Sequence, residues 1–80
     1  MGIIEAIVTM PDNCYILKTS KYYCKDKAGR AVYEHKSKKH PYYLVWDGLH
    51  GEIEVFNKKT LNHVAVYHPN GDFHKFFVKS

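Results

Sequence analysis

From Gly29 onward the chain alternates apolar and polar residues in short runs: "RAVYEHK" (30–36), "YYLVW" (42–46), "HGEIEVF" (50–56), "HVAVYH" (63–68) and "DFHKFFV" (72–78). The breaks between them are "KSKKHP", "DG", "NKKTLN" and "PNG", rich in the residues that turns require. Period-two runs roughly every 10 residues, separated by such turns, predict an antiparallel meander of about five strands. A continuous run of strands makes a strongly twisted sheet. The first third reads differently. "GIIEAIVTM" has apolar residues at 3, 4, 7 and 8, the spacing of a helix face, and Pro11 stops it near Met10. "NCYILKT" reads as a short extended segment, and "KYYCKDKAGR" as a basic turn. The expected class is therefore mainly β, an α+β domain with a highly twisted sheet and a short N-terminal helix covering one face. Residues 1–80 form one domain, since the length supports a single modest core.

The pattern acquires chemical content in "WDGLHGEIE". On an extended strand successive side chains point to opposite faces. His50, Glu52 and Glu54 thus share one face, expected to be wet, and Gly51, Ile53 and Val55 the other. Three titratable groups in a row, with Asp47 just upstream, exceed what a solvated strand face requires, though polar residues of any kind would satisfy that face.

Charge narrows the partner class. The net charge is +4 with 12 Lys and Arg against 8 Asp and Glu, which favours an acidic partner such as RNA or an acidic protein over a small neutral ligand. Two cysteines, Cys14 and Cys24, exclude a disulfide-dense scaffold; one bridge or two free thiols remain open. The apolar start is too short to span a bilayer and lacks a basic leader, so the expectation is a soluble chain with no address of its own.

Two chemistries compete with a plain wet face. His and carboxylates are metal ligands, but none of the six histidines stands in an HExxH or H-x3-H spacing on a predicted helix, so no metal and no cofactor are expected. The other chemistry is general acid–base cleavage of RNA. It needs a base for the ribose 2′-OH, an acid for the leaving 5′-oxygen and a cation for the phosphorane. A Glu and a His close together fill the first two roles, and crowding by a second carboxylate raises the pKa of one Glu toward a useful value. Lys58, Lys59, Lys75 and Lys79 lie on flanking strands and loops, where they supply phosphate affinity, as does Arg30. Tyr42, Tyr43, Trp46, Phe56 and Tyr67 offer stacking surfaces for unpaired bases, although packing accounts for most aromatics of this kind.

"YYLVWDGLHGEIEVFN" followed by "HVAVYHPNG" resembles the cytotoxic ribonuclease domain of cloacin and the ribosomal-RNA-cleaving colicins, a domain type also found in contact-dependent inhibition and other polymorphic toxins. The resemblance runs from about Arg30 to Lys75 and is specific at WD-x-x-HGE-x-E. It implies metal-independent cleavage of small-subunit (16S) ribosomal RNA at the decoding centre, leaving a 2′,3′-cyclic phosphate and blocking translation. It assigns Asp47 to orienting the imidazole, His50 to the general acid, Glu54 to the base and Glu52 to support. The family also carries an essential arginine beyond its last strand. Arg30 is the only arginine here. The resemblance therefore implies a lysine in that role, Lys75 first and Lys79 second, or Arg30 folding into the site, or weak activity.

The partners so implied are the ribosome and an acidic immunity or antitoxin protein, with no membrane in the mature active form. The place of action is the bacterial cytoplasm, reached directly or by delivery as part of a larger toxin. Two alternatives stay open: a non-catalytic RNA- or ribosome-binding module, and an mRNA-cleaving toxin of a toxin–antitoxin pair.

Overall fold

The computed structural model describes residues 10–35, 37 and 39–77. Six strands, β1 (Lys21–Lys25), β2 (Ala31–Glu34), β3 (Tyr42–Asp47), β4 (Glu52–Asn57), β5 (His63–Tyr67) and β6 (Phe73–Phe76), pair in chain order into one antiparallel sheet. The meander is as the alternation predicts, with one strand more. The additional strand is β1, drawn from the segment expected to be a turn. Only Asp26 to Arg30 turns: Gly29 N donates to Asp26 O at 3.0 Å and Asp26 N to Arg30 O at 3.0 Å. Gly29 supplies the left-handed φ of 81° that closes the hairpin.

Of the expected helix over 2–10, residues 2–9 lie outside the described residues, and Met10 is not helical. Among the described residues the helix is α1 (Tyr15–Lys18), in the segment read as extended. Tertiary packing explains the difference. Pro11 O accepts from Cys14 N at 3.1 Å, starting a turn that brings Cys14 and Leu17, three apart, to one side. Both side chains are fully buried against Leu44, Ile53, Val55 and Ala65. Burial of Leu17 alone is worth roughly 1.5–3 kcal/mol, and Cys14 adds to it, enough to override the local strand preference of one turn. Both cysteines are free thiols, Cys14 buried and Cys24 exposed.

Directly opposed residues in an antiparallel ladder share a face. Trp46 pairs with Ile53 and Leu44 with Val55, on the face covered by residues 10–20. Asp47 pairs with Glu52, Val45 with Glu54 and Tyr43 with Phe56 on the other. That second face is not simply wet: Val32, Val45 and Val66 are buried on it. The sheet curls enough for Tyr23 of β1 to stack on Tyr43 of β3, two strands away, with ring centroids 5.1 Å apart. Among the described residues, no helix is long and apolar enough to cross a membrane.

Candidate active site

The β3–β4 turn is built around one side chain. Asp47 Oδ1 accepts from the backbone N–H groups of Leu49 at 3.0 Å and His50 at 3.2 Å, and Asp47 O accepts from Gly51 N at 2.8 Å. Gly51 then re-enters the sheet at φ 66°, a left-handed value that glycine adopts without steric cost. The other carboxylate oxygen, Oδ2, lies 2.8 Å from His50 Nδ1. A carboxylate only accepts, so Nδ1 carries the hydrogen and the ring turns its Nε2 edge away from Asp47. His50 is therefore in the turn, not in the strand where the alternation placed it; β4 begins at Glu52.

Glu54 departs furthest from expectation. Its face was expected to be wet, yet it is only 8 % exposed, beneath the curl of the sheet. Burial raises its pKa to about 7, helped by the hydrogen bond and charge of Asp47 and the charge of Glu52, while Arg30 pulls the other way. At Asp47, burial raises the pKa, but hydrogen bonds from the His50 ring, from Glu54 and from the His50 backbone outweigh it, and the carboxyl ends below its ordinary value. The proton between the two carboxyl groups thus belongs to Glu54. The His50 imidazole moves upward, chiefly through its hydrogen bond with Asp47 and the Asp47 charge, then through Glu52 and Glu54. One environment thus raises Glu54 to about 7 and favours the cationic form of His50.

Two further residues complete the cluster. Arg30 Nε pairs with Asp26 at 2.8 Å, and its Nη1 stands 4.0 Å from Asp47 Oδ2. The arginine thus stands beside the Asp47 carboxylate. His63 was not singled out in the sequence. Its Nε2 lies against Glu54 Oε2 and 3.1 Å from Ala65 O. The carbonyl can only accept, which puts the hydrogen on Nε2, where it faces both oxygens. Oε2 is wholly buried and takes no well-aligned hydrogen bond despite this contact, so it relies on His63 for what partnership it has. Burial lowers the His63 pKa and Arg30 adds to this, against the Ala65 carbonyl and the Glu52 charge. His63 reaches Glu54 only because a bulge lets it oppose Phe56, and no sequence motif signals that register.

The remaining predicted residues are dispersed. Glu52 is half-buried beside Asp47. Lys75 pairs with Val66, itself opposite Glu54, so it occupies the same face with one strand between. Lys58 is engaged with Glu34 Oε2 at 3.4 Å and lies over the Tyr43 ring. Lys59 is exposed in the β4–β5 turn, and Lys79 lies outside the described residues. Ligand atoms of Asp47, His50, Glu52 and Glu54 all lie within 4.8 Å of one another, a spacing that also suits a divalent cation. Asp47 is meanwhile engaged with two backbone N–H groups and His50.

Comparison with known proteins finds no matching family model, curated protein or solved structure.

Proposed function

We propose that the chain is a metal-independent endoribonuclease of the bacterial toxin kind, directed at small-subunit ribosomal RNA in the decoding centre. The observation that carries the chemistry is the pairing of Asp47-anchored His50 with a buried Glu54 whose pKa is about 7. In the reaction, ionised Glu54 takes the proton of a ribose 2′-OH. The oxygen attacks the adjacent phosphorus and the P–O5′ bond breaks. His50, protonated and held through Nδ1, delivers the Nε2 proton to the leaving 5′-oxygen. The products are a 2′,3′-cyclic phosphate and a free 5′-hydroxyl. Arg30 supplies positive charge beside the developing phosphorane, from a planar guanidinium with several N–H donors where a lysine offers a point charge. The ribosomal target rests on the resemblance of the WD-x-x-HGE-x-E stretch, and an acidic immunity or antitoxin protein fits the net charge of +4.

The test is incubation of the purified protein with intact ribosomes, with and without EDTA, followed by mapping of RNA ends. A single cut in the decoding region of the small-subunit RNA, resistant to EDTA and lost in Glu54→Gln, supports the reading. Cuts confined to messenger RNA assign the chain to the toxin–antitoxin alternative. Binding without any cut leaves a non-catalytic ribosome-binding module. Activity removed by EDTA and restored by zinc or manganese hands the same four side chains to a metal.

A further inference from the structure

Beside the acid–base cluster, on the same face of the sheet, lies an open groove of about 730 Å³. Its walls are Tyr23, Tyr43, Val32, Val45, Phe56 and Leu61, and Arg30 stands at one end. Arg30 also reaches Asp47, Val45 pairs with Glu54, and Phe56 follows Glu54 by two residues on the same face. Whatever fills the groove therefore abuts the proposed reacting groups. The volume falls within the range of small-ligand pockets, roughly 300–1,000 Å³.

The wall chemistry is specific. Aromatic residues line the groove: the Tyr23–Tyr43 stack, with Lys58 over the Tyr43 ring, and Phe56, which gives one ring face to His63. Asp26 and Lys27 add polar groups near the Arg30 end. A flat aromatic occupant with hydrogen-bonding edges and an anion attached matches both parts.

Backbone strain points to the same groove. The β4–β5 turn repeats the β3–β4 turn: Asn57 Oδ1 accepts from Lys59 N and Thr60 N, and Asn57 O accepts from Leu61 N at 2.8 Å. At the left-handed position, where the first turn has Gly51, this one has Leu61 at φ 62°. Leucine is disfavoured there, and this one is also 64 % exposed. It packs no core that would explain the strain; it forms the outer wall of the groove. Strain of this kind gathers at ligand sites.

We infer that this groove is a nucleobase pocket, seating an unpaired base next to the scissile phosphate, with Tyr23, Phe56 and Leu61 as its contact surfaces. The inference rests on the ribonuclease reading and adds a determinant of where the strand is held. Its test needs no cleavage. Binding of 2′-O-methyl hexanucleotides of A, C, G or U, which lack the nucleophile, is measured by calorimetry against an abasic hexamer of equal charge. The wild type binds at least one base-bearing hexamer roughly tenfold or more above the abasic one, the scale of one stacked base. Tyr23→Ala and Leu61→Gly remove that margin and leave abasic binding unchanged, while Tyr23→Phe retains it. No margin in the wild type, or a margin untouched in Tyr23→Ala and Leu61→Gly, overturns the pocket even if ribosomes are cut. A margin that behaves as expected in a protein that cuts no RNA upholds the pocket and removes the nuclease.

Discussion

Glu54 is a buried acid and the base of the proposed reaction. The unfolded chain loses the Glu54 proton near 4.5, the folded chain near 7. The folded form therefore holds the proton more tightly, and the associated stability is present below pH 4.5 and lost as pH rises through about 7. Discounted for partial solvent contact, the loss is on the order of 2 kcal/mol. Glu54→Gln should accordingly raise the melting temperature by several degrees at pH 8 to 9 and hardly change it at pH 5, which thermal denaturation at both values would show. The same substitution should lower cleavage by about 10²–10⁴-fold, and His50→Ala similarly. Wild-type cleavage in a doubly substituted protein would remove both residues from the mechanism. The rate itself should follow a bell. It rises as Glu54 ionises through about pH 7 and falls as His50 deprotonates above its ordinary 6.5. Replacement of His63 by Gln removes a titrating neighbour and alters the contact on Glu54 Oε2, so it should displace the rising limb while sparing the falling one. Unchanged limbs in that variant would make His63 a packing residue.

At the scale of elements, the two related turns separate what the sequence displays from what it conceals. Strands β2 to β6 were legible as apolar–polar alternation between turn residues, although burial does not follow that alternation: β4 buries Ile53, Glu54 and Val55 in succession, and β6 is exposed throughout. The Asp47–Gly51 turn was legible only in part: "DG" marks the break, but the alternation carries His50 and Gly51 into the following strand, which begins at Glu52. Strand β1 was not legible, since "KYYCK" carries no period-two alternation. Helix α1 was hidden for a different reason: it is wound by contacts with the sheet, which the local sequence does not contain. Burial of Glu54 followed from the curl of the sheet, and the His63 contact from a bulge, both properties of strand assembly. The turns make opposite predictions. Gly51→Ala forces a side chain into a left-handed backbone and should cost roughly 1–2 kcal/mol while misplacing His50. Leu61→Gly relieves the same strain and should stabilise the fold, less the entropy of a glycine in the unfolded chain. Denaturant titration of both variants checks the pair, and a destabilised Leu61→Gly would show that the exposed leucine contributes packing after all.

At the scale of the whole molecule, the site is assembled from segments far apart in sequence: Arg30 from the first hairpin, residues 47–54 from the central pair of strands, and His63 from the next. Positive charge reaches it from two sides, and the two sources should act differently. Arg30 stands 4.0 Å from Asp47 and is tied down by Asp26, so its guanidinium has a fixed place beside the reacting groups. Lys75 is exposed and separated from Glu54 by the width of two strand spacings, about 9–10 Å at the backbone, although its long side chain points from the same face. A charge that acts on the phosphorane must be close and oriented when the transition state forms; a charge that gathers phosphate can be distant and mobile. Arg30→Ala should therefore lower kcat with a smaller change in KM. Lys75→Ala should raise KM, leave kcat within a few-fold, and reduce by about 1 the slope of log affinity against log salt. Steady-state kinetics on an RNA substrate at several salt concentrations distinguishes the two. If Lys75→Ala instead lowers kcat as Arg30→Ala was expected to, the lysine takes the role of the transition-state cation, and Arg30 is left to hold Asp47 and the first hairpin in position.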